Sequence, residues 1–319
     1  MTPTYLVTGG AGFIGSHLLE NLLTVGYHVK VYDNFSTGLA TNITDLSQDL
    51  PGTVEIINGD IRDIITLNKA MQGITGIFHL AALVSVPGSI EQPDLSFDIN
   101  TRGTQLVLDV ARKNGITRIV MASSAAVYGD NQNLPLAEKE QTKPLSPYGL
   151  DKSFSEQMGQ LYADLYQMNI TCLRFFNVFG PRQLPDSPYS GVVSIFAKKV
   201  AAKTAADIYG NGEQSRDFVF VKDVANALKL AMHSKLNGYH VYNVGSDTEI
   251  TIKQLWDAFQ HISGFTAVAN HWPEREADIK KSVANITSIK TELGYTPSTD
   301  FESNLLATYQ WLQQTMVNR

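Results

Sequence analysis

Residues Tyr5 to Leu18 read YLVTGGAGFIGSHL, and the fold is decided in this stretch. The apolar run Tyr5-Leu6-Val7, suited to a buried strand, leads through Gly9, Gly10, Gly12 and Gly15 into an apolar helical segment carrying Leu18, Leu19 and Leu22. Strand, glycine turn and helix in that order fit the Gly-x-Gly-x-x-Gly fingerprint. There the glycines permit a tight turn and let backbone N–H groups reach a pyrophosphate at the positive end of a helix. The next strand-like run, His28 to Tyr32, ends in Asp33, about 20 residues on, where a ribose-binding acid belongs. A carboxylate there accepts hydrogen bonds from ribose hydroxyls and repels a 2′-phosphate, so NAD is favoured over NADP. The expected cofactor contacts in this unit are Gly9, Gly12, Phe13, Ile14 and Gly15, then Asp33 and Asn34.

Composition narrows the remaining possibilities. With 319 residues the chain can bury one large core or two modest ones, and an α/β enzyme with an attached lobe matches that size. Its one cysteine, Cys172, lies inside the apolar run Ile170 to Leu173 and is expected to be an inert core residue in a reduced setting. No signal-peptide pattern opens the chain, and no run approaches the ~20 apolar residues of a membrane helix; a soluble, cytoplasmic protein is expected, without a membrane partner. The net charge of −6 and scattered basic residues disfavour a nucleic-acid surface. Seven dispersed histidines lack metal-ligand spacing, so no metal is predicted.

Further along, a strand at Val54 to Ile57 ends in Gly59-Asp60-Ile61, and another, Ile77 to Leu80, ends in Ala81-Ala82. Ligands of open parallel sheets bind beyond the carboxyl ends of the strands. That places Ile61 and Leu80 at the cofactor, with small Ala81 and Ala82 letting the backbone pass it closely. Asp60 either meets the adenine amine or caps the helix that follows at 62 to 71. The loop Val84 to Gln92, with Ser85, borders the same edge. A long helix begins near Pro93 or Asp94 and stops at Asn114-Gly115; Asn100 within it is read as anchoring a backbone turn near the catalytic residues and is grouped with the cofactor contacts.

The next strand, Arg118 to Ala122, runs into Ser123 and Ser124, and a helix opens at Pro147-Tyr148 and carries Lys152. Four residues apart, Tyr148 and Lys152 share a helix face. A tyrosine of pKa ~10 is a poor base at neutral pH, but a neighbouring ammonium favours its phenolate. Ser124 is placed to hydrogen-bond both that oxygen and a substrate hydroxyl. A bare Tyr-x-x-x-Lys is more often a solvated helix face; its pairing with the fingerprint and the strand-terminal serines makes it catalytic here. After the strand Ile170 to Phe176, glycines and prolines mark a change of character. The expected architecture is a doubly wound parallel α/β sheet (Rossmann), residues 1–182 plus 218–247, with a smaller mixed α/β C-terminal substrate lobe, 183–217 plus 248–319.

These segments together give a specific resemblance: TGGAGFIG at 8–15, HLAA at 79–82, SSAAVYG at 123–129, PYGLDK at 147–152, RFFNVFGPRQ at 174–183, YGNGEQSRDFVFVKDV at 209–224 and YNVG at 242–245. The chain resembles the extended short-chain dehydrogenase/reductase family, in its nucleotide-sugar epimerase and dehydratase group, and most closely the bacterial UDP-hexose 4-epimerases. The resemblance implies tightly bound NAD and a Ser124, Tyr148, Lys152 triad. It places a UDP-sugar on Ser85, Ser124, Tyr148, Asn177, Tyr209, Arg216 and Arg275, and it implies a homodimer through the helices at about 94–114 and 148–167. Dehydratases and decarboxylases of the group carry acids just after the hydroxyl, where this chain has Ala125 and Ala126; epimerisation is therefore expected. Seven residues beyond Arg275 the family sets the room for an N-acetyl group, and Ser282, being small, implies that N-acetylated hexoses are accepted beside glucose and galactose. UDP-glucuronate is the alternative substrate, and a dehydratase or decarboxylase the more distant reading.

Overall fold

The computed structural model describes residues 2–46, 50–185, 190–274 and 279–317. Its strands, in chain order, are β1 (Thr4–Thr8), β2 (His28–Asp33), β3 (Thr53–Asn58), β4 (Gly76–His79), β5 (Arg118–Ser124), β6 (Asn169–Phe175), β7 (Asn177–Phe179), β8 (Asp207–Tyr209), β9 (Ser215–Phe220), β10 (Tyr239–Val244), β11 (Glu249–Thr251), β12 (Asn270–Trp272) and β13 (Lys281–Ser282). Its helices are α1 (Phe13–Thr24), α2 (Thr41–Thr44), α3 (Ile64–Ala70), α4 (Val86–Glu91), α5 (Pro93–Ser96), α6 (Gly103–Lys113), α7 (Pro147–Tyr166), α8 (Val192–Ala201), α9 (Val221–His233), α10 (Ile252–Ser263), α11 (Thr287–Leu293) and α12 (Phe301–Val317).

Seven strands make one sheet in the order β10-β6-β5-β4-β1-β2-β3, and every neighbouring pair is parallel. Parallel strands covered on both faces read as continuous apolar runs, which is the pattern of Leu6-Val7 in β1 and Ile119-Val120-Met121 in β5, all at most 2% exposed. One face is covered by α1, α9 and α11, through Leu18, Leu22, Leu228 and Ile289. The other face takes α3, α6 and α7, through Leu67, Val107 and Met158. Consecutive strands run outward from β1 in one direction and from β4 in the other, so a crevice opens at their carboxyl ends, where such sheets bind ligands.

A second core, built from Phe196, Trp256, Phe259 and Leu305, belongs to α8, α10 and α12. It packs beneath β9, which pairs with β7 and β13 in parallel and with β11 antiparallel. The sequence assigns all of 218–247 to the first domain. Here the structure differs: β9 lies in the small sheet, and the return to the large one is made by α9 and β10. The helix expected from 93 to 114 is present with a π segment, Phe97–Arg102, between α5 and α6.

The helix that bears Tyr148 is tied to the sheet by a buried ion pair. Arg174 of β6 meets Glu156 of α7 at 2.7 Å, with side chains 6% and 7% exposed, and Arg174 also donates to the Tyr128 hydroxyl at 2.8 Å. Removing one member of such a pair strands the other charge in the interior. Glu156→Leu is therefore expected to lower stability by about 3–5 kcal/mol, and a second change, Arg174→Met, to recover most of it; urea unfolding of the two variants measures both.

Candidate active site

The crevice is built first from backbone. Gly9 follows β1 with φ +71°, and a Cβ there would lie 2.7 Å from the Ala81 nitrogen. A Cβ at Gly15 would overlap the Gly9 carbonyl oxygen, so α1 starts closer to the strand end than any side chain allows. The N-cap of α1 is Gly12, with no side-chain cap and no acid in the first turn, which leaves that turn's N–H groups open to an anion. The Asp33 carboxylate accepts from Ala11 N and Phe35 N, both at 2.9 Å, fixing the turn against the end of β2. Burial raises its pKa while these two donors oppose the rise. An open N-terminus, a side-chain-free cradle and a carboxylate at the second strand end fit a dinucleotide diphosphate and its ribose.

A cleft of about 640 Å³ runs along this edge, lined by every expected cofactor residue except Asn100, together with Ser124 and Asn177. Asp60 is in the lining, but its carboxylate is engaged: Oδ1 accepts Arg62 N and Nε, and Oδ2 accepts Arg62 Nη2 and Asn34 Nδ2. Those donors fill the roughly four acceptor positions of a carboxylate, and Arg62 holds its pKa down to about 2. Asp60 does not cap the next helix. That helix starts later, at Ile64, and Asp63 caps it by accepting Ile65 N and Thr66 N.

The chemical end of the cleft is assembled where β5 stops. Ser124 accepts from Ala126 N at 3.2 Å, which fixes the turn 125–128. Against it α7 begins, its first turn capped by Ser146 through Gly149 N at 3.1 Å. Gly149 lies so near Ala126 that a Cβ would be 2.7 Å from its carbonyl oxygen. Tyr148 N donates to Ser89 Oγ at 3.1 Å. The Tyr148 phenol is thereby brought to the Ser124 hydroxyl, which hydrogen-bonds it. One turn on, Lys152 Nζ donates to Ala122 O at 2.9 Å and sits 5.9 Å from the centre of the Tyr148 ring. Burial pushes the Tyr148 phenol up, against the lowering by Ser124. It pushes the Lys152 ammonium down to about 8, against Cys172, Asp151 and Glu156. The sequence expects Lys152 to lower the Tyr148 pKa; in the cleft as it stands desolvation of both groups is the larger effect.

Several supports carry no local sequence signal. Asn100 is 2% exposed and lies behind the cleft; its side chain accepts Leu83 N at 2.8 Å and donates to Leu83 O at 3.0 Å. It therefore shapes the Ala81–Val84 wall and does not line the cleft, as its grouping with the cofactor contacts required. The π segment that carries it docks on α7, where Asp151 accepts from Ser96 Oγ at 2.6 Å and Thr101 Oγ1 at 3.0 Å. Ser85 is also corrected: it is buried, caps α4 by accepting Gly88 N at 2.9 Å, and is outside the cleft lining.

On the lobe side Asn177 lines the cleft and donates to Asp217 O at 3.0 Å. Arg216 of β9 stands across from Ser282 of β13, and Tyr209 of β8 is opposite Trp272 of β12; Arg216, Ser282 and Tyr209 are not among the residues lining the cleft. Arg275 lies outside the described residues. Sequence reading overlooked Asp217. Fully buried, it accepts from Ser246 N at 2.7 Å and from Asp247 N and Ala284 N at 3.1 Å, and so knits Arg216, the loop after β10 and the end of β13 together. The apolar lining residues Leu184, Val192 and Phe218 were also overlooked, since nothing in their local pattern separates them from core.

Residues 6–308 match the family model described as GDP-mannose 4,6 dehydratase. The chain belongs to this family. Among its relatives, UDP-glucose 4-epimerase of Mycolicibacterium smegmatis is 33% identical over 97% of this chain and 98% of the relative. Of solved structures, UDP-N-acetylglucosamine 4-epimerase from Methanobrevibacter ruminantium, in complex with UDP-N-acetylmuramic acid, superimposes with TM-score 0.93 at 35% identity, covering 99% of this chain and all of that one. UDP-glucose 4-epimerase of Thermus thermophilus, in complex with NAD, gives TM-score 0.87 at 33% identity, over 97% and 99% of the two chains.

For this member of the family the geometry gives two tests. Tyr148→Phe removes one oxygen and leaves the ring packing, so kcat is expected to fall about 100- to 10,000-fold with the thermal midpoint nearly unchanged. Burial pushes the Lys152 ammonium down to about 8 in the folded chain, from its ordinary 10.5. Between those pH values the unfolded chain binds more protons, so this group's contribution to stability rises with pH, and below pH 8 the full cost of burying the ammonium is present. Lys152→Met should therefore stabilise the cofactor-free chain at pH 7, by up to about 3 kcal/mol. That gain should shrink toward pH 10.5 while activity is lost at every pH; denaturant unfolding at pH 7 and pH 10 gives the comparison.

Proposed function

We propose that this chain interconverts the C4 epimers of UDP-hexoses with NAD held through the cycle. The observation that carries the reading is the meeting of Ser124, Tyr148 and Lys152 in a cleft whose carboxylates, among the described lining residues, are Asp33 and Asp60 at the ends of β2 and β3. The positions after Ser124 are Ala125 and Ala126, so no acid stands beside the reacting centre to drive loss of water.

NAD, held by the glycine turn and Asp33, would supply a reversible hydride acceptor and a positive charge. Tyr148, aligned by Ser124, takes the proton of the C4 hydroxyl at its phenolic oxygen as C4 is oxidised. Lys152 stabilises the resulting phenolate, and Ala122 O orients its ammonium. The ketone at C4 is then reduced from its other face, Tyr148 returning the proton, with no net redox change. For this the sugar must turn while its diphosphate stays fixed, which suits arginines at the nucleotide end and a wall of Leu184, Val192 and Phe218.

UDP-glucose and UDP-galactose are the primary pair, and the small Ser282 supports acceptance of UDP-GlcNAc and UDP-GalNAc.

A homodimer in the cytoplasm is the assembly this reading favours. Leu150, Phe154, Leu161 and Leu165 form an exposed apolar stripe along α7, and Val86, Ile90 and Phe97 expose apolar side chains on the adjoining segment. No described helix is long and apolar enough to cross a membrane. Leu161→Glu is expected to convert the dimer to monomer in light scattering after gel filtration; an unchanged mass would remove this stripe from the interface. For the activity itself, purified protein without added NAD is incubated with UDP-glucose and, separately, UDP-GlcNAc. The expected outcome is both 4-epimers by NMR. Conversion of UDP-glucose alone would retain the mechanism and overturn the argument from Ser282, and a 4-keto-6-deoxy product would overturn the epimerase reading.

A further inference from the structure

Arg182 has an environment that the mechanism does not use. It stands at the junction of the two cores with φ +68°, a left-handed backbone that a non-glycine residue adopts at a cost and that clusters at binding sites. Arg182 is in the cleft lining, and its guanidinium donates to Glu20 Oε2 at 2.7 Å through Nη2 and reaches Ser16 Oγ at 3.4 Å through Nη1. Both partners lie on α1, as do Phe13 and His17. His17 Nε2 bonds Pro181 O at 2.9 Å, its pKa pushed down to about 4 chiefly by burial, so it acts as a neutral donor. Phe13 and Ile14 pack against the lobe core. One face of α1 thus grips the Pro181-Arg182 peptide from Phe13 through Glu20, and brings a forked cation to the first turn whose N–H groups lack a cap.

We infer that Arg182 is the lobe's ligand for the cofactor diphosphate, held at the start of α1 by Glu20. This rests on the reading of the cleft as an NAD site. The α1 amides approach the diphosphate from the first domain, and the guanidinium approaches it from the lobe. A planar fork can donate to Glu20 and to a phosphate oxygen at once, and such charge-assisted bonds are the strong ones. Cofactor retention through many turnovers then depends on both domains, and Glu20 is a positioning residue that keeps the guanidinium off the sugar.

The test measures NAD itself. Wild-type chain, R182Q, R182K and E20Q are purified, their NAD content is determined after extraction, and the cofactor-free proteins are titrated with NAD by intrinsic fluorescence and with UDP by calorimetry. R182Q should lose most of its cofactor on purification and bind NAD about 10- to 100-fold more weakly, with UDP affinity within twofold of wild type. R182K, which keeps the charge without the fork and serves if R182Q does not fold, should show a smaller loss, and E20Q a loss of several fold. Unchanged NAD affinity in both Arg182 variants overturns the assignment, as does a fall in UDP affinity with NAD unchanged. Failure of the wild-type chain to bind NAD would instead sink the underlying reading of the cleft.

Discussion

The absence of a side chain at Gly15 is the constraint on which the site depends. Because that position packs against the Gly9 carbonyl, α1 starts directly over the end of β1, and its uncapped amides point into the crevice at the switch of strand direction. The same placement fixes the face carrying Phe13, His17 and Glu20, and that face seats the Pro181-Arg182 peptide of the junction. A larger residue at 15 would displace the helix from the strand, and with it both the diphosphate cradle and the seat of the lobe. One backbone contact therefore positions groups in two domains that lie far apart in sequence.

The second constraint is electrostatic. Tyr148 and Lys152 are 9% and 7% exposed, and burial opposes the charged form of each. A water-filled site would relieve that cost but would screen the ammonium from the phenol. A dry one keeps the two coupled, so a proton can be held or released at the phenolic oxygen according to what charge enters beside it. The supporting shell serves this dryness: Asn100 holds Leu83, Asp151 takes the hydroxyls of Ser96 at the end of α5 and Thr101 of the π segment, and the Glu156–Arg174 pair locks α7 to β6. Every buried polar group in that shell has a partner, as a low-dielectric interior demands.

What was legible in the sequence was what is written locally. The fingerprint, the carboxylate closing β2 and the Tyr-x-x-x-Lys turn each occupy a few consecutive residues whose spacing fixes their geometry. What was misread is what the local pattern leaves open between alternatives or what depends on distant partners. Asp60 is tied by an arginine two residues on that also reaches Asp98, so its helix-capping alternative fails. Ser85 has the local pattern of an N-cap as much as that of a loop hydroxyl. The strand at 215–220 has the composition of any buried strand, and only its pairing with β7, β11 and β13 places it in the lobe. Asp217 had no signal at all, because its donors come from residues 246, 247 and 284.

That last network bears on how one cleft can hold a nucleotide firmly and a sugar loosely. Asp217 anchors the backbone around Arg216 and the end of β13, and its own carbonyl receives Asn177 of the cleft lining, so this part of the lobe is held rigidly. Leu184, Val192 and Phe218, also in the cleft lining, offer dispersion contacts without directional bonds. Hydrogen bonds fix orientation, whereas apolar contact restricts volume and leaves rotation inexpensive. A hexose that must present both faces of C4 to one hydride acceptor needs that division, and a wall dense in donors and acceptors would trap one face. The placement of polar and apolar side chains along the cleft is thus itself part of the catalytic design.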